Sequence, residues 1–201
     1  MARDLMPIVK RSRREGVALH PKAHKVMAKR KALPGERAGA RRGKMTQYAQ
    51  QLREKQKVKR MYGLLEKQFR RLVKEAERKE GVSGELLLQY LERRLDNAVY
   101  RLHLAPSRTA ARQLVTHGHI MLNGRRVDIP SIRLKAGDEI AIRPKSAKNT
   151  YFQSLEIEES PDLSWLSLNK SKMTAKVTSV PNRDESEPDI NEQLIIEFYS
   201  R

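Results

Sequence analysis

The sequence contains no cysteine, no long apolar run and few aromatic residues, and each absence removes a class of protein. Without cysteine there can be neither disulfides nor thiolate metal sites, which fits a reducing compartment. No stretch of about 18 consecutive apolar residues is present, so the sequence predicts no membrane span. The first residues, Met1 to Met6, lack the apolar core of a secretory signal.

Signatures of catalysis and of metal binding are also missing. The sequence has no Gly-x-Ser-x-Gly nucleophile elbow, no phosphate-binding loop and no dinucleotide fingerprint. His20 and His24 lie four residues apart, a spacing that suits half of a metal site on a helix. They lack cysteines and an acidic cluster nearby, so we expect no metal and no cofactor. The chain is not expected to be an enzyme.

Positive charge is the dominant feature of what is present. The chain of 201 residues has 42 Lys+Arg against 24 Asp+Glu, a formal net charge of +18. Such a chain needs a polyanionic partner, and nucleic acid is the usual one because neutralised phosphates release counterions. A basic membrane-surface protein would need Trp or Phe on an amphipathic helix. The single Trp, Trp165, lies in an acidic neighbourhood, so we expect no membrane partner.

The charge is unevenly distributed along the chain. Residues 1–80 contain 25 basic and 8 acidic residues, and residues 81–150 contain 12 and 6. Residues 151–201 contain 5 and 10. The surface that meets a polyanion is therefore predicted in the first two thirds of the chain.

Residues 1–44 are predicted to be a basic extended arm. They combine basic clusters with three prolines, and their apolar periodicity is poor. Such a segment cannot bury a core by itself. It is either a solvated tail or a segment that becomes ordered on RNA.

The chain becomes helical from Thr46, a plausible N-cap. Apolar residues at three- and four-residue steps form one continuous stripe, and basic residues fill much of the remaining surface. The stripe consists of Val58, Met61, Tyr62, Leu65, Phe69, Leu72, Val73 and Ala76. This stripe predicts a helical element that packs in the core. The basic residues on the rest of the helical surface form either a solvated face or an RNA-binding face.

After a break at residues 81–84, leucines and Val99 lie on one side of a further predicted helix. At 100° per residue, Arg94, Asn97 and Arg101 cluster on its other side. Pro106 ends this helix and Ser107 is placed to cap the next, over residues 108–116. We therefore expect the arginines of both helices to face outward while the leucines face the core.

Short strands follow. Asn123-Gly124 between apolar strands predicts a type I′ hairpin, and alternation over residues 139–143 predicts another strand. Residues 165–168 and 175–180 are further strand candidates. The chain then ends in an amphipathic helix that Asp189 is predicted to cap, with Glu192 at the capping-box position.

Residues 91–142 closely match a known RNA-binding module. They read LERRLDNAVYRLHLAPSRTAARQLVTHGHIMLNGRRVDIPSIRLKAGDEIAI. This stretch resembles the module named after ribosomal small-subunit protein four, including Arg-Leu-Asp-Asn in its first helix and Ser-Arg-x-x-Ala-Arg-Gln-Leu-Val in its second. A guanidinium fork bonds two phosphate oxygens at once and stacks on bases, which suits RNA.

The flanking segments distinguish among the proteins that carry this module. Two of them resemble segments of the small-subunit ribosomal protein four family of bacteria and organelles. They are the helical segment GARRGKMTQYAQQLREKQKVKRMYGLLEKQFRRLVKEA and the ending DINEQLIIEFYSR. An RNA-modifying enzyme with the same module would need a catalytic domain, for which residues 1–90 are too basic and residues 151–201 too few. An RNA chaperone for stalled ribosomal complexes remains an alternative, although the C-terminal Phe-Tyr-Ser-Arg ending argues against it.

The resemblance implies a structural ribosomal protein that binds small-subunit ribosomal RNA early in assembly, at a multi-helix junction near the mRNA entry. It implies ribosomal protein five as a neighbour, mRNA near the entry channel, a contribution to decoding accuracy, and location on cytoplasmic or organellar ribosomes. Many members hold zinc with four N-terminal cysteines that this chain lacks, and its first 39 residues match only loosely.

The predicted fold class is α+β: a helical domain plus a small antiparallel-sheet domain carrying a two-helix RNA-binding module. The predicted domains are the arm at 1–44, a helical domain of 45–90 with 186–201, and the RNA module with its sheet at 91–180. The predicted RNA-binding residues are Arg41, Arg42, Arg53, Lys57, Arg60, Arg70, Arg71, Arg94, Asn97, Arg101, Ser107, Arg108, Arg112, His117, His119, Asn123 and Arg125.

Overall fold

A computed structural model describes residues 6–30, 32–36, 43–155, 163–169 and 173–200 of the chain. The chain divides into two compact units. Unit 1 comprises Met1–Leu87 with Asp189–Arg201, and unit 2 comprises Leu88–Pro188. The fold is α+β, as predicted, with helices in both units and one small antiparallel sheet in unit 2.

Unit 1 is helical. Its helices are α1 (Ile8–Glu15), α2 (Pro21–Lys29), α3 (Gln47–Met61), α4 (Glu66–Glu77), the start of α5 (Ser83–Glu92) and α10 (Glu192–Tyr199). The Thr46 side chain caps α3 as predicted, because its hydroxyl accepts from the Ala49 amide. The predicted apolar stripe is largely buried, as Val58, Phe69 and Val73 show. It is divided between two helices, since Gly63 adopts a left-handed φ of 64° and separates α3 from α4.

The expectation that residues 1–44 are extended is wrong for the part that the structure describes. Residues 8–15 and 21–29 form α1 and α2, which pack on each other, and α1 also contacts α3. Ala23 and the Ser12 side chain become buried there, and the Leu19 amide donates to the Ser12 hydroxyl. Short helices with little periodicity of their own are therefore stabilised by packing on a neighbour, which the local pattern does not reveal.

The C-terminal helix α10 packs on α3 and α4. Its Ile195 is fully buried, and Glu197 accepts from the Gln51 amide of α3 at 2.7 Å. The predicted cap at Asp189 is wrong: Asn191 is the N-cap and accepts from the Leu194 amide. Since the Asp189 carbonyl accepts from the Lys57 ammonium at 2.6 Å, that part of the chain runs along α3 before the helix begins.

Glu66 joins three helices of unit 1 and gives this unit a pH dependence. Its carboxylate accepts from Lys55 at 2.9 Å, from Lys59 at 3.0 Å and from the Tyr199 hydroxyl at 2.6 Å. Burial raises the pKa of Glu66, but the hydrogen bonds from Tyr199 and the two lysines outweigh it and lower the pKa to about 2. Burial and the Glu66 carboxylate together raise the pKa of Tyr199.

Glu66→Gln is expected to destabilise unit 1 at pH 7 by no more than roughly 1 kcal/mol, because the side chain is 45% exposed. A carboxylate whose pKa is lowered stabilises the fold above its ordinary pKa of 4.5, and this contribution is lost as the pH falls toward about 2. Urea unfolding followed by circular dichroism should therefore separate variant and parent at pH 7 and bring them together near pH 2. The exposed Glu77 of the same helix provides the control, Glu77→Gln, and an equal effect of both variants would contradict the prediction.

Unit 2 combines short helices with the sheet. After α5 come α6 (Leu95–Arg101), α7 (Arg108–Thr116), α8 (Pro144–Ala147) and α9 (Thr150–Gln153). A single helix over residues 85–102 was expected, but Arg94 is extended (φ −68°, ψ 139°) and breaks it. The Arg93 carbonyl accepts from the Leu134 amide, and the Leu95 amide donates to the Ile132 carbonyl. Pairing with a distant segment thus replaces one helical turn.

The sheet is antiparallel, with strand order β2-β1-β3-β5-β4. Its strands are β1 (Ile120–Leu122), β2 (Arg125–Val127), β3 (Glu139–Ile142), β4 (Leu166–Asn169) and β5 (Thr174–Val177). The predicted hairpin is confirmed, because Asn123 and Gly124 join β1 to β2 with φ values of 50° and 75°. The other strands lie at the predicted places, with bounds that differ by a few residues.

The core of unit 2 lies between α6, α7 and the sheet. Leu95, Val99, Ile120 and Trp165 are each fully buried there. Burying each such side chain contributes about 1.5–3 kcal/mol. In the part of the chain that the structure describes, no helix has the length and apolarity needed to cross a membrane.

Candidate nucleic-acid interface

Four arginines on or next to helices α6 and α7 pair with three carboxylates in unit 2. We call this set the arginine network; it consists of Arg94, Arg101, Arg108 and Arg112 with Glu92, Asp96, Glu187 and Asn97. The break at Arg94 creates it. The helix α5 ends at Glu92 and α6 begins at Leu95, and this arrangement lets the Asn97 side chain donate to the Glu92 carboxylate. The network is therefore a consequence of the helix break.

Glu92 is the most deeply buried carboxylate of the network. Its side chain is 1% exposed and accepts from Arg101 through Nε at 3.0 Å and Nη2 at 2.9 Å. The Asn97 amide donates to the same carboxylate at 2.8 Å and to the Glu92 carbonyl at 3.0 Å. A bidentate arginine–carboxylate pair of this kind fixes both the position and the plane of the Arg101 guanidinium.

Asp96 holds a second pair. Its carboxylate accepts from Arg94 through Nε at 3.0 Å and Nη2 at 2.8 Å, and from Arg112 of α7 at 3.4 Å. The pKa of Arg112 is lowered, mainly by burial. The Asp96 carboxylate opposes this shift, and the nearby Arg94 adds to it. Asp96 thereby joins the start of α6 to α7.

Arg108, the first residue of α7, is held from three sides. Its Nε donates to the side-chain Oδ1 of Asn97 at 2.8 Å, and its Nη2 donates to the Glu187 carboxylate. Its guanidinium lies 4.5 Å from the centre of the Tyr100 ring. Burial raises the pKa of Glu187, but Arg108 and Arg101 outweigh it and lower the pKa.

The expectation that these side chains face outward is wrong for Arg94 and Asn97, and the other three arginines meet it only in part. Arg94 and Asn97 are buried at 6% and 2% exposure. Arg101, Arg108 and Arg112 keep 18%, 16% and 24% of their side chains exposed. Sequence reasoning missed Glu92, Asp96 and Glu187. For Glu92 and Asp96 the available signal was the presence of acidic residues beside Arg93 and Arg94, whereas Glu187 lies in a remote acidic segment and gives no such signal. The network thus stabilises the fold as well as presenting guanidinium edges to solvent.

Replacing Arg108 and Arg112 together by Ala is expected to lower stability, because both side chains are paired inside unit 2. Asn97 and Asp96 lose partners in a buried setting, which costs about 1–3 kcal/mol. Unfolding followed by Trp165 fluorescence reports unit 2, where that residue is fully buried.

The matched control is the double replacement of Arg70 and Arg71 by Ala. Both side chains are exposed on α4, so stability should change by less than about 0.5 kcal/mol. Equal melting curves for the Arg108/Arg112 variant and its parent would show that the network contributes nothing to the fold.

Three predicted binding residues outside the arginine network lie at the start of α7 and in the β1–β2 hairpin. Ser107 caps α7, since its hydroxyl accepts from the Ala110 amide at 3.3 Å, and it is buried. Asn123 makes the turn: its side chain donates to Asp138 and accepts from the Glu139 amide. Arg125 is exposed on β2. Ser107 and Asn123 therefore have structural partners, while Arg125 presents its charge to solvent.

The two histidines of the α7–β1 turn differ. His117 is exposed, whereas His119 shares a hydrogen bond of 3.0 Å with Ser146 and meets the Phe152 ring edge-on. Burial lowers the pKa of His119, and His117, Arg143 and Arg126 lower it further. These surroundings therefore disfavour the cationic form of His119.

Gly118, between these histidines, is covered by the guanidinium of Arg126. A Cβ at this position would lie 2.3 Å from Arg126 Nε, and the backbone φ of 70° favours glycine. The close approach places the exposed Arg126 beside the α7–β1 turn. Arg126 therefore adds a cation to the loop edge that also carries His117.

Three predicted binding residues of unit 1 have internal partners. Arg53 donates to Glu15 at 3.2 Å, and Arg60 donates to the same carboxylate, which is fully buried. Burial raises the pKa of Glu15, and Arg53 and Arg60 oppose that rise. Lys57 is 9% exposed and also pairs with Glu54 at 2.8 Å. These cations hold α1 and the C-terminal segment on α3.

One group of exposed cations of unit 1 lies on α4 and at its C-terminal end. Arg70 and Arg71 line a shallow groove along this helix together with Lys67, Lys74 and Arg78. Arg41 and Arg42 fall outside the described residues. We call the five α4 cations the α4 basic face.

The histidine pair of the N-terminal segment is not arranged as a metal site. His20 is the N-cap of α2 and accepts from the Lys22 amide through Nδ1, whereas His24 lies within that helix. Among the described residues, no three His, Asp or Glu side chains are grouped as a metal ion would require.

Comparison with protein families gives two adjacent matches that together cover residues 3–140. Residues 3–92 match "Ribosomal protein S4/S9 N-terminal domain", and residues 93–140 match "S4 domain". The boundary between the matches lies at the helix break that creates the arginine network.

Curated relatives match over their whole length. The chain is 49% identical over 208 residues to "Small ribosomal subunit protein uS4" of Chloroflexus aurantiacus, covering 100% of both chains. Proteins of the same name from Herpetosiphon aurantiacus and Chlorobium phaeovibrioides are 50% and 48% identical, again with 100% of both chains covered.

Proposed function

The chain belongs to the family of small ribosomal subunit protein uS4, and from this premise we propose that it binds small-subunit ribosomal RNA through the arginine network, the β1–β2 hairpin and the α4 basic face. A protein of this family is a structural component of the ribosome and not an enzyme. The resemblance seen in the sequence and the full-length matches thus agree.

The observation that carries this proposal is the fixed orientation of guanidinium groups in unit 2. Glu92 and Asn97 orient Arg101 and Arg108, and Asp96 contacts Arg112, while each of the three side chains stays partly exposed. A guanidinium held by a buried partner loses little further freedom on binding, so its bonds to phosphate are gained at low entropic cost. Arg125 and Arg126 are further exposed cations of unit 2, on the β1–β2 hairpin, and Arg126 lies beside Gly118.

The α4 basic face supports a second contact with RNA. Its cations recur at three- and four-residue steps, so they form one stripe along the helix. Flexible, solvated cations of this kind neutralise phosphates without reading sequence. We expect this face to contribute affinity, and the arginine network to contribute orientation.

The finer parts of the proposal follow the family resemblance. We propose that the chain binds early in assembly at a multi-helix junction near the mRNA entry, next to ribosomal protein five. In that position it would contribute to decoding accuracy with its neighbours. The relatives come from bacteria, which supports ribosomes of a bacterial cytoplasm, and an organelle-encoded chain would act in the stroma or matrix.

Ultraviolet crosslinking in cells, followed by sequencing of the attached RNA, tests this function. Small-subunit ribosomal RNA should be enriched at a few clustered sites. Enrichment of tRNA with large-subunit RNA would instead indicate a chaperone of stalled complexes, and modified nucleotides at the crosslinks would indicate a modifying enzyme. A variant with Arg108 and Arg112 replaced by Lys keeps both charges and removes the forks. It should crosslink less at those sites.

A further inference from the structure

Glu187 differs from the other two carboxylates of the arginine network in its exposure. Its side chain is 25% exposed, whereas those of Glu92 and Asp96 are 1% and 7% exposed. It reaches Arg108 directly and Arg101 at 3.4 Å. An anion accessible from solvent therefore bridges two of the arginines proposed to meet RNA.

The position of Glu187 in the chain allows it to move without opening the core. It lies between a single 3-10 turn, Arg183–Glu185, and Pro188. The buried Ser186 anchors the preceding backbone by donating its hydroxyl hydrogen to the Arg183 carbonyl at 2.6 Å. Glu92 retains Arg101 through two bonds, and Asn97 retains Arg108 through one. Withdrawal of Glu187 would thus leave both guanidinium groups held in place.

We propose that the position of the Glu187 carboxylate is a phosphate-binding position, and that an RNA phosphate displaces Glu187 from Arg101 and Arg108 on binding. Carboxylate and phosphate oxygens accept the same charge-assisted bonds from guanidinium forks. This inference rests on the proposed function.

Displacement makes Glu187 a barrier to binding at this position. Any anion must compete with a tethered carboxylate already in place, so the affinity of every RNA that uses the position is lowered by the same factor. An RNA whose backbone fits the surrounding contacts offsets this loss with its other bonds and stays bound at concentrations where a poorly fitting RNA does not.

The test compares Glu187→Gln with Asp184→Asn in the full chain. Both replacements remove one negative charge from the same segment, but Asp184 is exposed and lies outside the arginine network. The probe is a full-length transcript of Chloroflexus aurantiacus small-subunit ribosomal RNA, with mixed tRNA as competitor. Glu187→Gln should bind about fivefold more tightly than the parent. Asp184→Asn should change affinity by less than about twofold, since it acts only through screened, longer-range charge.

A second measurement uses no RNA. Sodium sulfate should raise the melting temperature of Glu187→Gln more than that of the parent or of Asp184→Asn, at ionic strength matched with sodium chloride. If Glu187→Gln fails to fold, Glu187→Asp keeps the charge but shortens the reach, and it should show the same two effects at smaller size.

The outcomes separate this inference from the function beneath it. A parent protein that binds the ribosomal transcript no better than tRNA would overturn the proposed function. The displacement of Glu187 alone would be overturned by a different set of results. The parent would prefer the transcript, but Glu187→Gln would bind it no more tightly than Asp184→Asn does. Sulfate would also fail to raise the melting temperature of Glu187→Gln above the effect seen in the parent.

Discussion

Affinity for ribosomal RNA is expected to fall by about three to five orders of magnitude between 50 and 200 mM salt, if about six to ten phosphates are contacted. The reason is the release of condensed counterions by the cations of a chain whose net charge is +18. Filter binding or fluorescence anisotropy over a salt series measures the slope directly.

The internal pairing seen in the structure identifies which cations should contribute to that slope. Replacing Arg70 and Arg71 by Ala removes two exposed charges and should make the logarithmic slope shallower by about two. Replacing Arg53 by Ala removes a cation already paired with Glu15, so the slope should hardly change. A flat salt response of the parent protein would mean that its basic surface is not the binding surface.

Replacing Glu92 by Ala is expected to have the largest effect on stability, about 3–5 kcal/mol of the free energy of unfolding of unit 2. Its carboxylate is 1% exposed and pairs with Arg101, and it also accepts from Asn97. Removal leaves a nearly buried guanidinium and a buried amide without that acceptor, while the small alanine also leaves a cavity. Denaturant unfolding followed by Trp165 fluorescence measures the loss, since the only Trp of the chain lies in the core of unit 2.

Glu85→Ala is the matched control for this variant. Glu85 lies on the same helix α5 but is exposed, so its removal should cost no more than about 0.5 kcal/mol. Adding Arg101→Ala to Glu92→Ala should restore part of the lost stability, because no unpaired charge then remains. A cost below about 1 kcal/mol for Glu92→Ala would show that solvent reaches the network and replaces its bonds.

Local signals in the sequence predicted several elements well. The caps at Thr46 and Ser107 and the hairpin at Asn123-Gly124 depend on bonds or backbone angles within a few residues, and each is confirmed. The strand candidates and the α+β class follow from periodicity, which is likewise local. Such features need little knowledge of the rest of the chain.

Two local features were missed, the N-cap at Asn191 and the break at Gly63, but the larger failures were predictions that required a distant partner. Arg94 was placed on a continuous helix, but the bonds of Arg93 and Leu95 to residues about 40 positions later break that helix. The segment before residue 30 lacks periodicity, yet it forms helices where Glu15 is buried against Arg53 of α3. The signals for these features are divided between remote segments, so no window along the sequence contains them.

The sequence by itself determined the kind of partner, the family and the local turns, because net charge, motifs and turn residues are properties of the chain read in order. Only the tertiary structure decided which cations face solvent. Arg60, Lys57 and Arg94 count as positive in any composition, but each meets a carboxylate or carbonyl that folding brings beside it. Arg70 and Arg71 lie exposed on α4. A charge is additive along a sequence, whereas its availability to RNA depends on desolvation and pairing, which are set in three dimensions.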